Sequence, residues 1–309
     1  MITIKDIAKE AGVSPTTVSR ILNHVQSKVS DEKRKMILDL IEKHNYVPNR
    51  SARSLSANSS NIIAILLNAE RPAQITGYYP ALLRALVLHI QAAGYLPALY
   101  YIDRENIGLA SLTTWNIDGA ILLSDYGERN RLFAARNTPV IFMDSYENDR
   151  MASVIRTDDY KAGVLAAGHF LRKGVRDFYF LYSGAIDRAA QEQRLRGLED
   201  SLSEQRLSGR LHEVPADGFQ PSALLPGLNG LFLNDITQAQ TLGPESAKRC
   251  ELVCFDELHS PGQAVSIGGL IFQNLDDKAK AAVEILLRQI ADKNSAAQRL
   301  VMDVFLKPS

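Results

Sequence analysis

Between Thr3 and Asn23 the sequence TIKDIAKEAGVSPTTVSRILN carries hydroxyls and one guanidinium on a segment whose apolar residues recur at helical spacing. Thr16, Thr17, Ser19 and Arg20 fall on the side away from those apolar positions. Hydroxyls at such a site suit phosphate oxygens, and a guanidinium suits the paired acceptors of a guanine edge. A second set of polar residues closes apolar runs further along the chain: Asn68, Asp144, Asp235 and Asp256. Side chains at the ends of parallel strands project into a crevice where a ligand can meet them. Each of the four could equally cap the helix that follows.

The elements that must position the first set are short. Ile4, Ile7, Ala8 and Ala11 give one helix an apolar face, and Gly12 supplies a residue that accepts positive φ where that helix stops. Ser14 is placed as an N-cap and Pro15 at the first helical position, where no N–H is needed. Val18, Ile21 and Leu22 turn the second helix back onto the first. Ser30 precedes a third helix over 31–45, acidic at its start and ending in Lys43 and His44, as the helix dipole favours. Its stripe is Ile37, Leu40 and Ile41; Tyr46 and Val47 close a small core, and Pro48 ends the unit. Residues 49–56 are polar apart from Leu55, the composition of a linker.

The string at 3–23 resembles the signature TxxDVAxxAGVSxxTVSRVLN of the LacI/GalR family of bacterial transcriptional repressors, and YVPNRSARSL at 46–55 resembles that family's hinge motif YxPNxxARxL. The resemblance implies that the hinge folds on operator DNA as a pair of minor-groove helices, with Leu55 as the wedge that opens a central base step and Ala52 as its small partner. Apolar wedges of this kind kink duplexes. The DNA-binding candidates are therefore Thr3, Ser14, Pro15, Thr16, Thr17, Ser19, Arg20, Asn23, Ser30, Asn49, Arg50, Ala52 and Leu55.

Charge distribution agrees with a nucleic-acid partner. The chain is neutral overall, but residues 1–60 hold ten Lys and Arg against six Asp and Glu. A basic module on an acidic body gives a local electrostatic footprint. With 46% apolar and 23% charged residues, the composition is that of a protein with a sizeable core. No run reaches the apolar length of a membrane span, and MITIKDIAKEAG lacks the apolar stretch of a secretory signal. A cytoplasmic protein is expected. Cys250 and Cys254 flank a strand-like pair and suit neither a disulfide framework nor a metal site; no cofactor and no metal are expected.

From residue 61 apolar strands alternate with helices: strands at 62–67, 96–101, 116–124 and 138–145, a crossover at 155–159, then strands at 177–182, 230–235 and 251–256. Helices are expected over 80–93, 160–172, 188–203 and 276–292, with a last strand near 299–306. Near-continuous apolar strands indicate parallel sheets covered on both faces. The fold class is thus an N-terminal all-α helix-turn-helix DNA-binding domain with a hinge helix, followed by a two-lobed α/β core with parallel sheets, periplasmic-binding-protein-like as the resemblance implies. The expected domains are 1–48, a hinge and linker at 49–60, and an effector-binding and dimerisation core at 61–309. Its N-lobe covers about 61–157 plus part of 272–298, and its C-lobe about 158–271 plus the C-terminal strand.

In the core, Arg194 of QRLRGL matches the family's RLAGF, Asp256 of VCFDE its GYDD or GYDN, and Phe219 of DGF the aromatic of its GDF/GDW. The resemblance implies that the arginine grips the effector, the aspartate accepts its hydroxyls and the aromatic stacks on a sugar ring. With Asn68, Asp144 and Asp235 these form the effector candidates. Residues 220–230, 234–250 and 265–269 depart from the family pattern, and VRDFYFLYSG with the FDE end resembles the fructose- and sucrose-responsive branch more than the purine branch.

The expected function is a homodimeric repressor on near-palindromic operator DNA, controlling sugar uptake or catabolism and released by a small sugar or sugar phosphate. The alternatives are a corepressor-dependent regulator of a non-sugar ligand and a solute-binding receptor. An enzyme is not expected: the six histidines are scattered, no GxSxG, P-loop or GxGxxG occurs, and His169 lies on an apolar helix face, where it reads as structural.

Overall fold

The computed structural model describes residues 2–22, 29–46, 59–68, 78–102, 117–123, 138–146, 152–182, 188–216, 219–220, 222, 224–234, 238–239, 242, 247–255 and 266–308. The chain forms two units, Met1–Ser60 and Asn61–Ser309.

The first unit has helices α1 (Ile4–Ala11), α2 (Pro15–Leu22) and α3 (Asp31–Lys43). Ile7, Ala8, Ala11, Val18, Ile21 and Ile37 make its core. Thr3 opens α1 with a reciprocal capping box to Asp6. Gly12 ends α1 at φ 64°, a left-handed conformation that glycine adopts without steric cost.

The second unit has two six-stranded sheets. The first is ordered β11-β5-β4-β3-β1-β2, from β1 (Ile62–Asn68), β2 (Leu96–Ile102), β3 (Gly119–Leu122), β4 (Val140–Met143), β5 (Ser153–Thr157) and β11 (Arg299–Met302). All its pairings are parallel. Helices α4 (Tyr78–Ala92) and α7 (Leu275–Ala291) bury Leu82, Leu86, Ile90, Ala282 and Leu286 against Ile63, Ile65, Ile121 and Ile141.

The second sheet is ordered β12-β10-β9-β8-β6-β7, from β6 (Asp177–Tyr182), β7 (Leu211–Pro215), β8 (Asn229–Leu233), β9 (Cys250–Phe255), β10 (Gly269–Gln273) and β12 (Val304–Pro308). It is parallel except for β12, which runs antiparallel to β10. Helices α5 (Asp159–Arg172) and α6 (Arg188–Glu204) cover one face through Ala162, Ala166, Phe170, Leu198 and Leu202.

These two helices cross at glycines. A Cβ on Gly163 would lie 1.9 Å from the Arg194 carbonyl oxygen, and one on Gly197 would lie 2.0 Å from that of Tyr160. No other residue permits that approach without displacing a backbone.

Three expectations change. The segment 155–159 is a crossover only at its end, because Ser153–Thr157 is strand β5; Arg156 interrupts an otherwise apolar run and hides it. The strand near 299–306 is two strands broken at Asp303, β11 in the first sheet and β12 in the second. Strands β7 and β10 were not foreseen. The first is an edge strand with no fully buried residue, and the second is entered through paired glycines. The chain therefore passes between the sheets at Asp158, Asn274 and Asp303.

Candidate functional site

In the first unit, Pro15, Thr16 and Arg20 stand exposed on α2, while Thr17 and Ser19 are half-buried. Three candidates spend their hydroxyls on helix ends. Thr3 caps α1; Ser14 Oγ accepts from the Thr17 amide at 3.2 Å and lies 2.9 Å from the Thr17 hydroxyl; Ser30 Oγ accepts from the Lys33 amide at 3.3 Å. Capping fixes the entry of each helix, so these residues set the presentation of Pro15, Thr16 and Arg20. Glu10 ties α1 to the end of α3, accepting from Lys43 at 3.0 Å and lying 2.8 Å from the His44 ring nitrogen. Those bonds, Lys43 first, hold its carboxyl below the usual range. Asn23, Asn49, Arg50, Ala52 and Leu55 lie outside the described residues.

In the second unit, polar residues gather where the strands of both sheets end. Asp144 leaves β4 at φ 53°, a left-handed conformation that aspartate tolerates better than most residues. Its carboxylate accepts from the Tyr78 hydroxyl and from Lys278 Nζ at 2.6 Å. Lys278 is fully buried, and its ammonium also reaches Thr157 Oγ1 at 2.7 Å, the Tyr78 hydroxyl oxygen at 2.8 Å and Gln273 Oε1 at 3.2 Å. The Thr157 hydroxyl donates to Gln273 Oε1 at 2.6 Å, joining the ends of β5 and β10.

Two residues after Asp144, the Tyr146 hydroxyl donates to Asp159, the first residue of α5. Arg194 Nε donates to the same carboxylate at 2.7 Å, and Arg194 Nη1 donates to Asn234 Oδ1 at 3.0 Å. The guanidinium lies over the Phe255 ring, 3.6 Å from its centroid. Asn234 is held in turn: its Nδ2 donates to the Leu181 carbonyl at 2.8 Å and its amide donates to Gln238 Oε1 at 2.8 Å. Burial first, then the Asp159 charge and hydrogen bond, push the Tyr146 hydroxyl far above its ordinary pKa, with Asp144 adding to the effect. Tyr146 therefore remains a hydrogen-bond donor.

Of the effector candidates, Asp144 and Arg194 thus reach one polar belt spanning both lobes. Phe219 does not join it among the described contacts. Its ring is buried in the core of the second sheet, edge-on to Tyr179, so its surface is spent on packing. The aromatic against Arg194 is Phe255 instead. Asn68 ends β1, and Asp235 and Asp256 lie outside the described residues.

Sequence reasoning missed Tyr78, Tyr146, Thr157, Asp159, Asn234, Gln273 and Lys278. One signal was available for Lys278: it precedes the buried Ala282 by four residues and Ile285 by seven, on the apolar stripe of α7. His169 bonds Glu251 across 2.6 Å and is buried in the second lobe, a structural setting. Among the described residues no group of three side chains suits a metal ion, and no helix is long and apolar enough to cross a membrane.

Residues 3–49 match the family model described as bacterial regulatory proteins, lacI family. Beyond that module the chain is similar to repressors of the LacI/GalR family over most of its length. Curated relatives of this chain include the HTH-type transcriptional repressor PurR of Actinobacillus pleuropneumoniae serotype 5b, 28% identical over 241 residues, 75% of this chain and 69% of that protein. PurR of Mannheimia succiniciproducens is 25% identical over 326 residues, 97% and 95% of the two chains. Solved structures of the same fold include a lac repressor dimer bound to operator and the anti-inducer ONPF, with TM-score 0.79, 19% identity, and 99% and 97% coverage. A CelR–cellobiose complex matches at TM-score 0.66 and 17% identity, covering 99% and 98%. A lacI-family DNA-binding module at residues 3–49, followed by a core similar to those of transcriptional repressors, marks the chain as a DNA-binding transcriptional regulator.

Proposed function

We propose that this repressor acts in the cytoplasm as a homodimer on a near-palindromic operator, and that a small sugar or sugar phosphate bound between its two lobes releases it to permit sugar uptake or catabolism. The observation that carries the ligand reading is the belt of Asp144, Tyr146, Asp159 and Arg194 at strand ends contributed by both lobes. Hydroxyl-rich ligands need such paired donors and acceptors. A ligand touching both lobes prefers one arrangement of them, and a preference of about 1–3 kcal/mol corresponds to a roughly 5–150-fold change in operator affinity.

Dimerisation draws support from β2, the edge strand of the first sheet among the described residues, where Leu96, Leu99 and Tyr101, with Leu88 on α4, are exposed. One short helix-turn-helix also reads too few base pairs for genomic selectivity. The solved lac repressor dimer on operator and the CelR–cellobiose complex support the same reading.

Site selection on random duplexes tests the DNA reading: a two-fold symmetric consensus is expected, and its absence overturns it. Arg20→Ala is expected to cost about 1–3 kcal/mol at one base position. Leu55→Ala is expected to weaken operator binding while sparing salt-dependent binding to random DNA. Arg194→Ala and Asp256→Ala are expected to abolish the ligand response yet retain operator binding; a normal response in both overturns the pocket assignment.

The PurR relatives favour a second reading, a corepressor that is not a sugar. The sign of the ligand's effect on operator affinity separates the two.

A further inference from the structure

The crossovers at Asp158, Asn274 and Asp303 are tied to one another in two ways. The first and third are joined through backbone, where the Asp158 amide donates to the Met302 carbonyl at 2.9 Å. Lys161, in the first turn of α5, also donates to Asp303. The first and second are joined by side chains of the residues just before them. Thr157, the last residue of β5, donates its hydroxyl to Gln273, the last residue of β10, at 2.6 Å.

Lys278 controls that second tie. Its ammonium donates to Thr157 Oγ1 at 2.7 Å and lies 3.2 Å from Gln273 Oε1. The Thr157 proton must therefore point at Gln273, whose amide must present its oxygen. A second hydroxyl is oriented in the same manner: Tyr78 accepts from Lys278 at 2.8 Å and donates to Asp144. Asp144 itself accepts from the ammonium at 2.6 Å. One cation thus holds groups from α4, the end of β4, β5 and β10. Bonds to an ionised donor are stronger than neutral ones and polarise the hydroxyls that relay them.

Stability alone does not account for a lysine at this position. Lys278 is fully buried and stands in the first turn of α7, at the positive end of the helix dipole. Both settings disfavour an ammonium, and apolar side chains of similar volume commonly replace a buried ion pair without loss. An apolar side chain cannot, however, fix two hydroxyls and a carboxylate in set directions.

We propose that Lys278 is the pin of the interlobe hinge: it fastens the first crossover to the second, so that all three turn as one body and the lobes keep to a narrow range of arrangements. Hinges absorb motion at a few residues that end their elements, and linking those residues removes their independent freedom. The pin is the same whichever ligand the core takes.

Electron–electron distance measurement on the intact protein tests it. Spin labels on unnatural amino acids replace the exposed Glu284 of α7 and Glu199 of α6, and excess unlabelled protein dilutes them. The wild-type distribution of interlobe distances is expected to be narrow. Lys278→Met combined with Asp144→Asn removes both charges, and asparagine suits the left-handed backbone at position 144. The distribution is then expected to widen at least about twofold. Thr157→Val keeps the charges, deletes the hydroxyl tie and is expected to widen it too, whereas Thr157→Ser should leave it narrow. Ile90→Ala truncates the first lobe's core at the other end of α4 and reports the effect of lost stability alone; it is expected to stay narrow. A wild-type width in the folded charge-free variant or in Thr157→Val overturns the pin. Equal widening in Ile90→Ala overturns it as well, since the width would then follow stability. Should the charge-free variant not fold, Thr157→Val decides.

Discussion

Each lobe holds one ion pair where its strands end, and the two are assembled in opposite ways. In the first, the cation arrives from far along the chain: Lys278 lies 134 residues after Asp144, on a helix that returns to the first sheet only after the second is nearly complete. In the second, Arg194 and Asp159 are 35 residues apart on adjacent helices, brought together by the glycine crossing of Gly163 and Gly197. The Arg194–Asp159 pair is closed to water, with side chains 8% and 3% exposed, whereas Asp144 keeps an open face. One fold thus supplies a sealed pair and an open pair. The open one depends on long-range chain return and the sealed one on local close packing.

The largest expected effect lies in the open pair. Lys278→Met leaves the Asp144 carboxylate without its buried cation, and breaking a buried pair on one side costs about 3–5 kcal/mol. Denaturant unfolding followed by circular dichroism measures it. Lys278→Met combined with Asp144→Leu removes both charges and is expected to recover most of the loss. A single variant within about 0.5 kcal/mol of wild type would show that the ammonium is not sequestered.

The sealed pair is tested through its helix crossing. Gly163→Ala places a methyl into the Arg194 carbonyl and must push α6 off α5, an overpacking cost of about 1–3 kcal/mol. Gly209→Ala meets no atom within 4 Å and is expected to stay within about 0.5 kcal/mol of wild type. Equal effects in the two variants would break the argument that close packing assembles this pair.

The same contrast explains what the sequence made legible. Arg194 was visible because a local string, QRLRGL, carried it, and the strands β1, β6 and β9 were visible through the apolar runs IIAILL, FYFLY and LVCF. Lys278 was not, because DDKAKAA has the composition of a solvated helix face and its partners lie on segments that only the tertiary fold brings near. Phe219 was read from a local motif and lies in the core, since a motif gives a residue's neighbours in sequence but not the direction of its ring. Asp159 was hidden inside a stretch read as crossover, although an acid at the first position of a helix is what the dipole favours.

The first unit extends the comparison to small, exposed contacts. Thr3→Ala deletes the capping box of α1 and is expected to cost about 1 kcal/mol, read as faster amide exchange in α1 of the intact protein. An α1 exchange rate equal to wild type would mean that packing onto Ile37 alone holds the helix.

The smallest effect is expected at Glu10, and its pH dependence separates exposed from buried pairing. Lys43 and then His44 hydrogen-bond the Glu10 carboxylate and hold its pKa below the usual value near 4.5. A carboxyl with a lowered folded-state pKa contributes stability above its unfolded value and loses it as pH falls through the folded one. Glu10→Gln is therefore expected to speed amide exchange at the α1–α3 contact slightly at pH 7. Relative to wild type, the difference should shrink from about pH 4.5 downward and vanish once Glu10 is protonated. Because the pair is open to solvent, 1 M salt should also reduce the difference at pH 7. The Lys278→Met deficit, arising from the loss of an ammonium with no exposed surface, should be reduced less by the same salt. A Glu10→Gln effect that survives both acid and salt would place that contact with the buried pairs of the lobes, and the distinction between sealed and exposed pairing would fail in this unit.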